Sequence, residues 1–246
     1  MTNRPLHPLS KIAAAVGLCL AALFLLAAGM HGAQKTKSAP AAGSLFAADK
    51  GKLKILVDGK AVGSEEFEIA PAGESWIARG KADILGQDGA RVRVLSTLRL
   101  RPDGIPQAYE WSMEGGKKTG AHIVFESGVA KITLEMEGSE PFQQEMNFET
   151  PKIVVLDNNL FHQYGILARL YNWPAGGVQT FPVLIPQDVT PGSLKVESIG
   201  PRTLNGQSFA GLRIATADLE VFVYVDGNHR LMQVEVPSAK ASIVRE

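Results

Sequence analysis

From Lys52 onward, apolar and polar positions alternate with a period of two. That spacing places successive side chains on opposite faces of a β-strand. Leu53, Ile55 and Val57 share one face, and Val92, Val94, Leu98 and Leu100 share another, opposite Arg91, Arg93, Arg99 and Arg101. The alternation continues through Tyr109, Trp111 and Met113, then Ile123 and Phe125, then Ile132, Leu134 and Met136, then Phe142, Met146 and Phe148. Each segment reads as a half-buried strand with one wet face. Between them stand "DGK" at 58, "PDG" at 102, "ESG" at 126 and "DGN" at 226, the residues that tight hairpin turns require. Short joints predict sequential antiparallel pairing. Pro182 and Pro186 cannot donate ladder hydrogen bonds, so "FPVLIP" is expected at or near an edge. "LEVFVYVD" is apolar on both faces, which suits a strand covered on both sides.

One stretch breaks the pattern. In "LDNNLFHQYGILARLYNW", residues 156–173, the period becomes helical. A helix is predicted over about 157–173, capped by Asp157 or Asn158 and ended by Trp173-Pro174. Leu160, Tyr164, Leu167 and Tyr171 form its apolar stripe, flanked by Phe161, while His162, Arg169 and Asn172 fall opposite. Gly165 would let another backbone come close. The expected fold is therefore mainly β: a curved antiparallel sheet or barrel of about a dozen strands with one plugging helix. Apolar strand faces outnumber what one helix can cover, so the sheet must close on itself or leave a groove. A cavity lined by Leu160, Phe161, Tyr164, Leu167, Tyr171 and Trp111 is the expected binding site, with His162 or Arg169 touching a polar headgroup.

The chain has 246 residues, 25 basic and 25 acidic, so its charge predicts no nucleic-acid partner. Its single cysteine, Cys19, lies in the uncharged run 12–30, behind Arg4 and Lys11. A basic start and an apolar run read as a signal peptide or a signal anchor, residues 1–33. Cleavage and retention are both open readings. Either places the rest outside the cytoplasm, in the periplasm or tethered to the inner membrane through residues 12–30. Residues 34–50 read as a flexible linker rich in alanine, serine and lysine, and residues 51–246 as a single β domain. His122, His162 and His229 show no metal-ligand spacing, and no catalytic signature occurs. No catalytic residue, metal or cofactor is expected, and the chain is not read as an enzyme.

Two stretches carry a resemblance. "LVDGKAVGSEEFEI" contains Gly59, Gly63, Glu66 and Phe67, and "VYVDGNHRLMQVEVP" contains Val225, Asp226, Arg230, Leu231 and Pro237. These resemble the opening strand and closing hairpin of uncharacterised exported bacterial β-proteins, a family of unknown function. They are similar in outline to periplasmic lipoprotein-carrier and lipoprotein-localisation folds. The resemblance implies a curved antiparallel sheet around an apolar cavity. The leading expectation is a binding module of the cell envelope that holds an apolar or lipid-like ligand. A structural or assembly protein that binds an envelope partner is the alternative, and a hydrolase with a dispersed site the third.

Overall fold

A computed structural model describes residues 44–86, 89–115, 118–204, 206–216 and 219–246. Eight strands come first: β1 (Asp49–Val57), β2 (Lys60–Ala72), β3 (Ser75–Leu85), β4 (Arg91–Leu100), β5 (Pro106–Glu114), β6 (Thr119–Glu126), β7 (Val129–Met136) and β8 (Phe142–Asn147). Next come β9 (Val154–Val155) and the helix α1 (His162–Leu170). The chain then forms β10 (Val178–Ile185), β11 (Thr190–Leu204), β12 (Gln207–Ala215), β13 (Glu220–Val225), β14 (Leu231–Val236) and β15 (Ala241–Arg245).

All fifteen strands form one sheet in the order β8-β7-β6-β5-β4-β3-β2-β1-β15-β14-β13-β12-β11-β10-β9. The chain starts mid-sheet and meanders to the edge at β8. It then crosses to the opposite edge at β9 and returns until β15 pairs with β1, Leu53 opposite Arg245 and Ile55 opposite Ile243. Every pairing is antiparallel except β9 with β10. The two edges do not pair, so the sheet curls without closing into a barrel. Asn147 and Val154 are seven residues apart, which holds the edges within about 25 Å of each other at that end.

The strands outnumber the dozen read from the sequence, and the helix is shorter than expected. Helical geometry stops at Leu170, because Tyr171 is already extended (φ −64°, ψ 129°). Asp157 and Asn158 do not cap it, since Asn159 takes a left-handed φ of 66° and the helix begins only at His162. Residues 44–50, read as the end of the linker, enter the fold: Phe46 is buried and packs on Trp76 at 5.8 Å between ring centroids. Among the described residues no helix is long and apolar enough to cross a membrane, and the run 12–30 lies outside them.

The core lies between the inner sheet face and α1. Leu53, Ile69, Ala78, Leu98, Tyr109, Ile123 and Ile132 come from the first half, and Val196, Leu212, Val223, Val234 and Ile243 from the second. α1 packs mainly on β13 and β14. Gly165 faces the Leu231 side chain: a Cβ there would stand 3.1 Å from the Leu231 Cβ. Pro182 lies in β10, one short strand from the sheet edge, as its missing donor requires. The arginine face of β4 is solvated, with Arg91 and Arg93 bridging to Asp83.

Candidate functional site

Residues on alternate positions of β2 face inward: Glu65, Phe67 and Ile69 are all buried. Glu65 is therefore a carboxylate on an apolar face, and its charge must be met internally. It accepts hydrogen bonds from the N–H groups of Phe161 at 2.7 Å and His162 at 3.2 Å. Its other oxygen stands 2.5 Å from His162 Nδ1. A strand carboxylate thus does for the helix N-terminus what a local cap would do, and it sits at the positive end of the helix dipole. The imidazole stacks on Phe67 with ring centroids 6.0 Å apart. Its Cε1 edge lies over Gly80, where a Cβ would come within 2.4 Å. Only glycine leaves room for the ring.

Arg169 is equally enclosed. It donates to Asp49 at 3.3 Å, to the Ala47 carbonyl at 2.7 Å and to the His229 carbonyl at 3.4 Å. Arg245 donates to the same Asp49 at 2.7 Å, tying the last strand to the first. His162 and Arg169, read from the sequence as the helix's polar edge, lie inside the fold. Both are buried: Arg169 is committed to partners, whereas His162 is held by Glu65 through Nδ1 and its Nε2 has no partner.

A third buried network joins Tyr109, Asp157 and Gln163. Asp157 accepts from the Tyr109 hydroxyl at 2.7 Å and from the N–H groups of Asn158 and Gln187, each at 3.0 Å. The Asp157 N–H in turn donates to the Gln163 side-chain carbonyl oxygen at 2.6 Å. Burial, only partly offset by these donors, pushes the Asp157 carboxyl up to about 6. Burial and then the Asp157 charge raise the Tyr109 phenol well above its ordinary value. The folded state therefore binds the Asp157 proton more tightly than the unfolded chain, whose aspartate titrates near 4. Its stabilising contribution is complete below about pH 4 and is lost as pH rises through about 6. The stability of the wild type relative to Asp157→Asn is expected to fall by roughly 2–3 kcal/mol between those limits. Urea midpoints across that range would show it, and a flat difference would contradict the assignment.

The other residues expected at the site divide into two groups. Leu160, Leu167 and Tyr171 are fully packed, with at most 2% of their surface exposed. The Tyr171 hydroxyl donates to the Gly177 carbonyl and accepts from Ser198 N–H. Phe161 and Tyr164 are half-buried against the same core. Leu160 lies toward a different region, and Trp111 links that region to the main core. Leu160 meets Ala82 and Val94, beside Met113, and Trp111 stands opposite Ser96 on one side and Ala121 on the other.

That region is the inner face of β4 to β8, the wing away from the body of α1. Across it runs a row of directly paired residues: Gly80, Ser96, Trp111, Ala121, Leu134 and Phe142. Burial fades along the row, from 8% exposure at Trp111 to half-buried Leu134 and 53% exposure at Phe142. Met136, on the same face, is 51% exposed. Polar atoms without a partner concentrate at the buried end. Among the described residues, Ser96 Oγ, Trp111 Nε1, Thr119 Oγ1 and His162 Nε2 are buried with no hydrogen-bond partner. The Ser96 hydroxyl is near enough to the Tyr109 phenol to act on it as a hydrogen-bonding group, lowering its pKa against the larger effect of burial, but it lies outside direct hydrogen-bonding geometry.

Two large hollows share part of this region. One of about 860 Å³ spans β4 to β7, and one of about 710 Å³ spans β1 to β4. Both open to solvent; outward-facing Lys52, Arg79, Thr97, Glu110 and His122 line them, together with inner-face Ser96 and Trp111 in the first and Gly80 and Ser96 in the second. Neither includes any residue of 160–171. His122 itself sits on the outer face, 3.3 Å from Glu110. His229 occupies the β13–β14 turn and stacks on Trp173 at 4.8 Å.

The fold defines the chain as a β-barrel-like domain with an open seam. A scan against protein-family models found no match, and a search of curated proteins found none. Among solved structures the chain is similar to a β-barrel-like protein of the domain of unknown function DUF1849 from Brucella abortus. The TM-score is 0.55 at 8% identity, over 81% of this chain and 94% of that one. It also aligns with a DUF1089 family protein from Pseudomonas aeruginosa, with a TM-score of 0.45 at 9% identity over 71% and 90% of the two chains. The first likeness shows the fold.

Proposed function

We propose that this chain is a binding module of the cell envelope that holds an apolar or lipid-like molecule against the inner face of β5 to β8. The observation that carries the reading is the exposed apolar end of the inner-face row. Phe142 and Met136 are more than half exposed on the face that elsewhere forms the core. Large apolar side chains exposed together beside an open seam mark a binding surface more often than a defect of packing. The seam between β8 and β9 supplies an entrance, and the helix leaves this wing uncovered by packing on β13 and β14. Placement in the envelope is supported by the basic start and apolar run of residues 1–33.

The test is a titration of the purified full chain with an anilinonaphthalene dye, beside the variant Phe142→Asp. Phe142 is 53% exposed, so a charge there leaves the core intact while placing an ion in the apolar mouth. Dye affinity is expected to drop about tenfold or more in the variant, with an unchanged circular dichroism spectrum. Dye on any other apolar surface would not respond to this substitution. Equal affinity in the two proteins would refute the reading.

A further inference from the structure

We propose that the inner-face row takes a single-chain amphiphile whose uncharged, hydrogen-bonding end group seats between Trp111 Nε1 and His162 Nε2. This rests on the binding reading above and specifies the chemistry of its ligand.

The four unpartnered buried polar atoms are not scattered. Ser96 stands directly opposite Gly80 on β3 and opposite Trp111 on β5. Thr119 is two residues from Ala121, the direct partner of Trp111, and so shares its face. The His162 ring rests on Gly80. All four therefore fall within one patch of adjacent strands under the start of the helix. A single buried polar group without a partner is costly, and native folds leave few of them. Several in one patch point to a common partner.

The donor set defines that partner. The Trp111 indole N–H can only donate. With the His162 Nδ1 proton directed at Glu65, Nε2 of the neutral ring can only accept. Ser96 and Thr119 can do either. A hydroxyl satisfies both ends: it accepts from Trp111 and donates to His162. An ionised carboxylate has nothing to donate, and it would add an anion to an interior that already holds Glu65 and Asp157. The apolar part follows from the row. From Gly80 to Phe142 there are five strand spacings, about 24 Å, over which Ala121, Leu134 and Phe142 offer apolar surface toward the seam. The end group lies inside and the tail runs across the strands to the open edge.

The experiment is competition for the bound dye by 1-decanol, decane and decanoate on the full chain, and on Trp111→Phe, which keeps a ring and removes the N–H. Decanol is expected to displace the dye at about tenfold lower concentration than decane. Decanoate at alkaline pH should gain no such advantage. In Trp111→Phe the preference should vanish while the dye still binds. Ser96→Ala, a smaller change, should reduce the preference and serves if Trp111→Phe does not fold. In the wild type, the indole proton resonance that Trp111→Phe removes should shift when decanol is added. Equal potency of decanol and decane, a preference that survives the substitutions, or an unmoved indole resonance would overturn the proposal and assign the polar patch to internal water. Dye binding that is lost in Phe142→Asp but shows no end-group preference would leave the binding reading standing and remove only this one. Absence of Phe142-dependent dye binding would remove both.

Discussion

Replacing Glu65 with alanine is expected to cost about 3–5 kcal/mol of stability. The carboxylate has no exposed surface, and it holds both the His162 ring and two N–H groups at the helix start. Removing it leaves an imidazole nitrogen and two amide donors buried together without partners. Glu65→Gln keeps an oxygen for the two amides and should lose much less. Urea denaturation with an unchanged slope would measure both. A loss below about 1 kcal/mol in the alanine variant, the value of a surface ion pair, would contradict the role given to Glu65. The interaction also fixes where the helix sits, because the pair joins residues 97 apart in sequence.

Asp49→Ala should be comparably damaging, at about 3–5 kcal/mol. Asp49 is the shared acceptor of Arg169 and Arg245, whose side chains are 3% and 13% exposed. Its loss strands two guanidinium groups at the junction of β1, β15 and the helix. Arg169→Met is expected to lose less, roughly 1–2 kcal/mol. In that variant Asp49 keeps Arg245, and the methionine stem replaces part of the arginine's packing. The order of the two variants is the informative result: a methionine variant as unstable as the alanine variant would show that Arg169, not Asp49, organises the junction.

Much of the fold is legible in the sequence because its causes are local. Period-two alternation in "RVRVLSTLRLR" and glycine or aspartate at the joints specify strands and hairpins between neighbours. Sequential pairing from β1 to β8 and from β10 to β15 follows from those joints. The pairing of β1 with β15 and the open seam at β8 and β9 are non-local, and no turn announces them. The helix was visible by its period, but its start was misplaced. Asp157 has the chemistry of a cap, yet it serves Tyr109, Asn158 and Gln187 instead.

The candidate site was only partly legible. Leu160 packs in a small separate cluster with Ala82 and Val94, whereas Trp111 joins Leu167 and Tyr171 in the main core. A helical wheel assigns His162 and Arg169 to a wet face because it assumes a helix with solvent on one side. Here the sheet curls around the helix, and both polar groups need buried partners. One sequence signal could have revealed them. Glu65 lies in register with Phe67 and Ile69, so a carboxylate occupies an inward position of β2 and requires a partner from elsewhere. Asp49 gives a similar signal, falling two residues before inward-facing Gly51 and four before Leu53. The exposure of Phe142 follows from its place on the sheet edge, which strand alternation alone does not report.

The most direct test of the central claim is photolabelling of the purified protein with a decanol analogue that carries a diazirine on its chain, followed by peptide mass spectrometry. Label is expected on the inner-face residues of β5 to β8, with Leu134 and Phe142 foremost, and excess decanol should suppress it. Label confined to outer-face residues such as Thr97 and Glu110, or label that excess decanol does not suppress, would contradict an inner-face binding site.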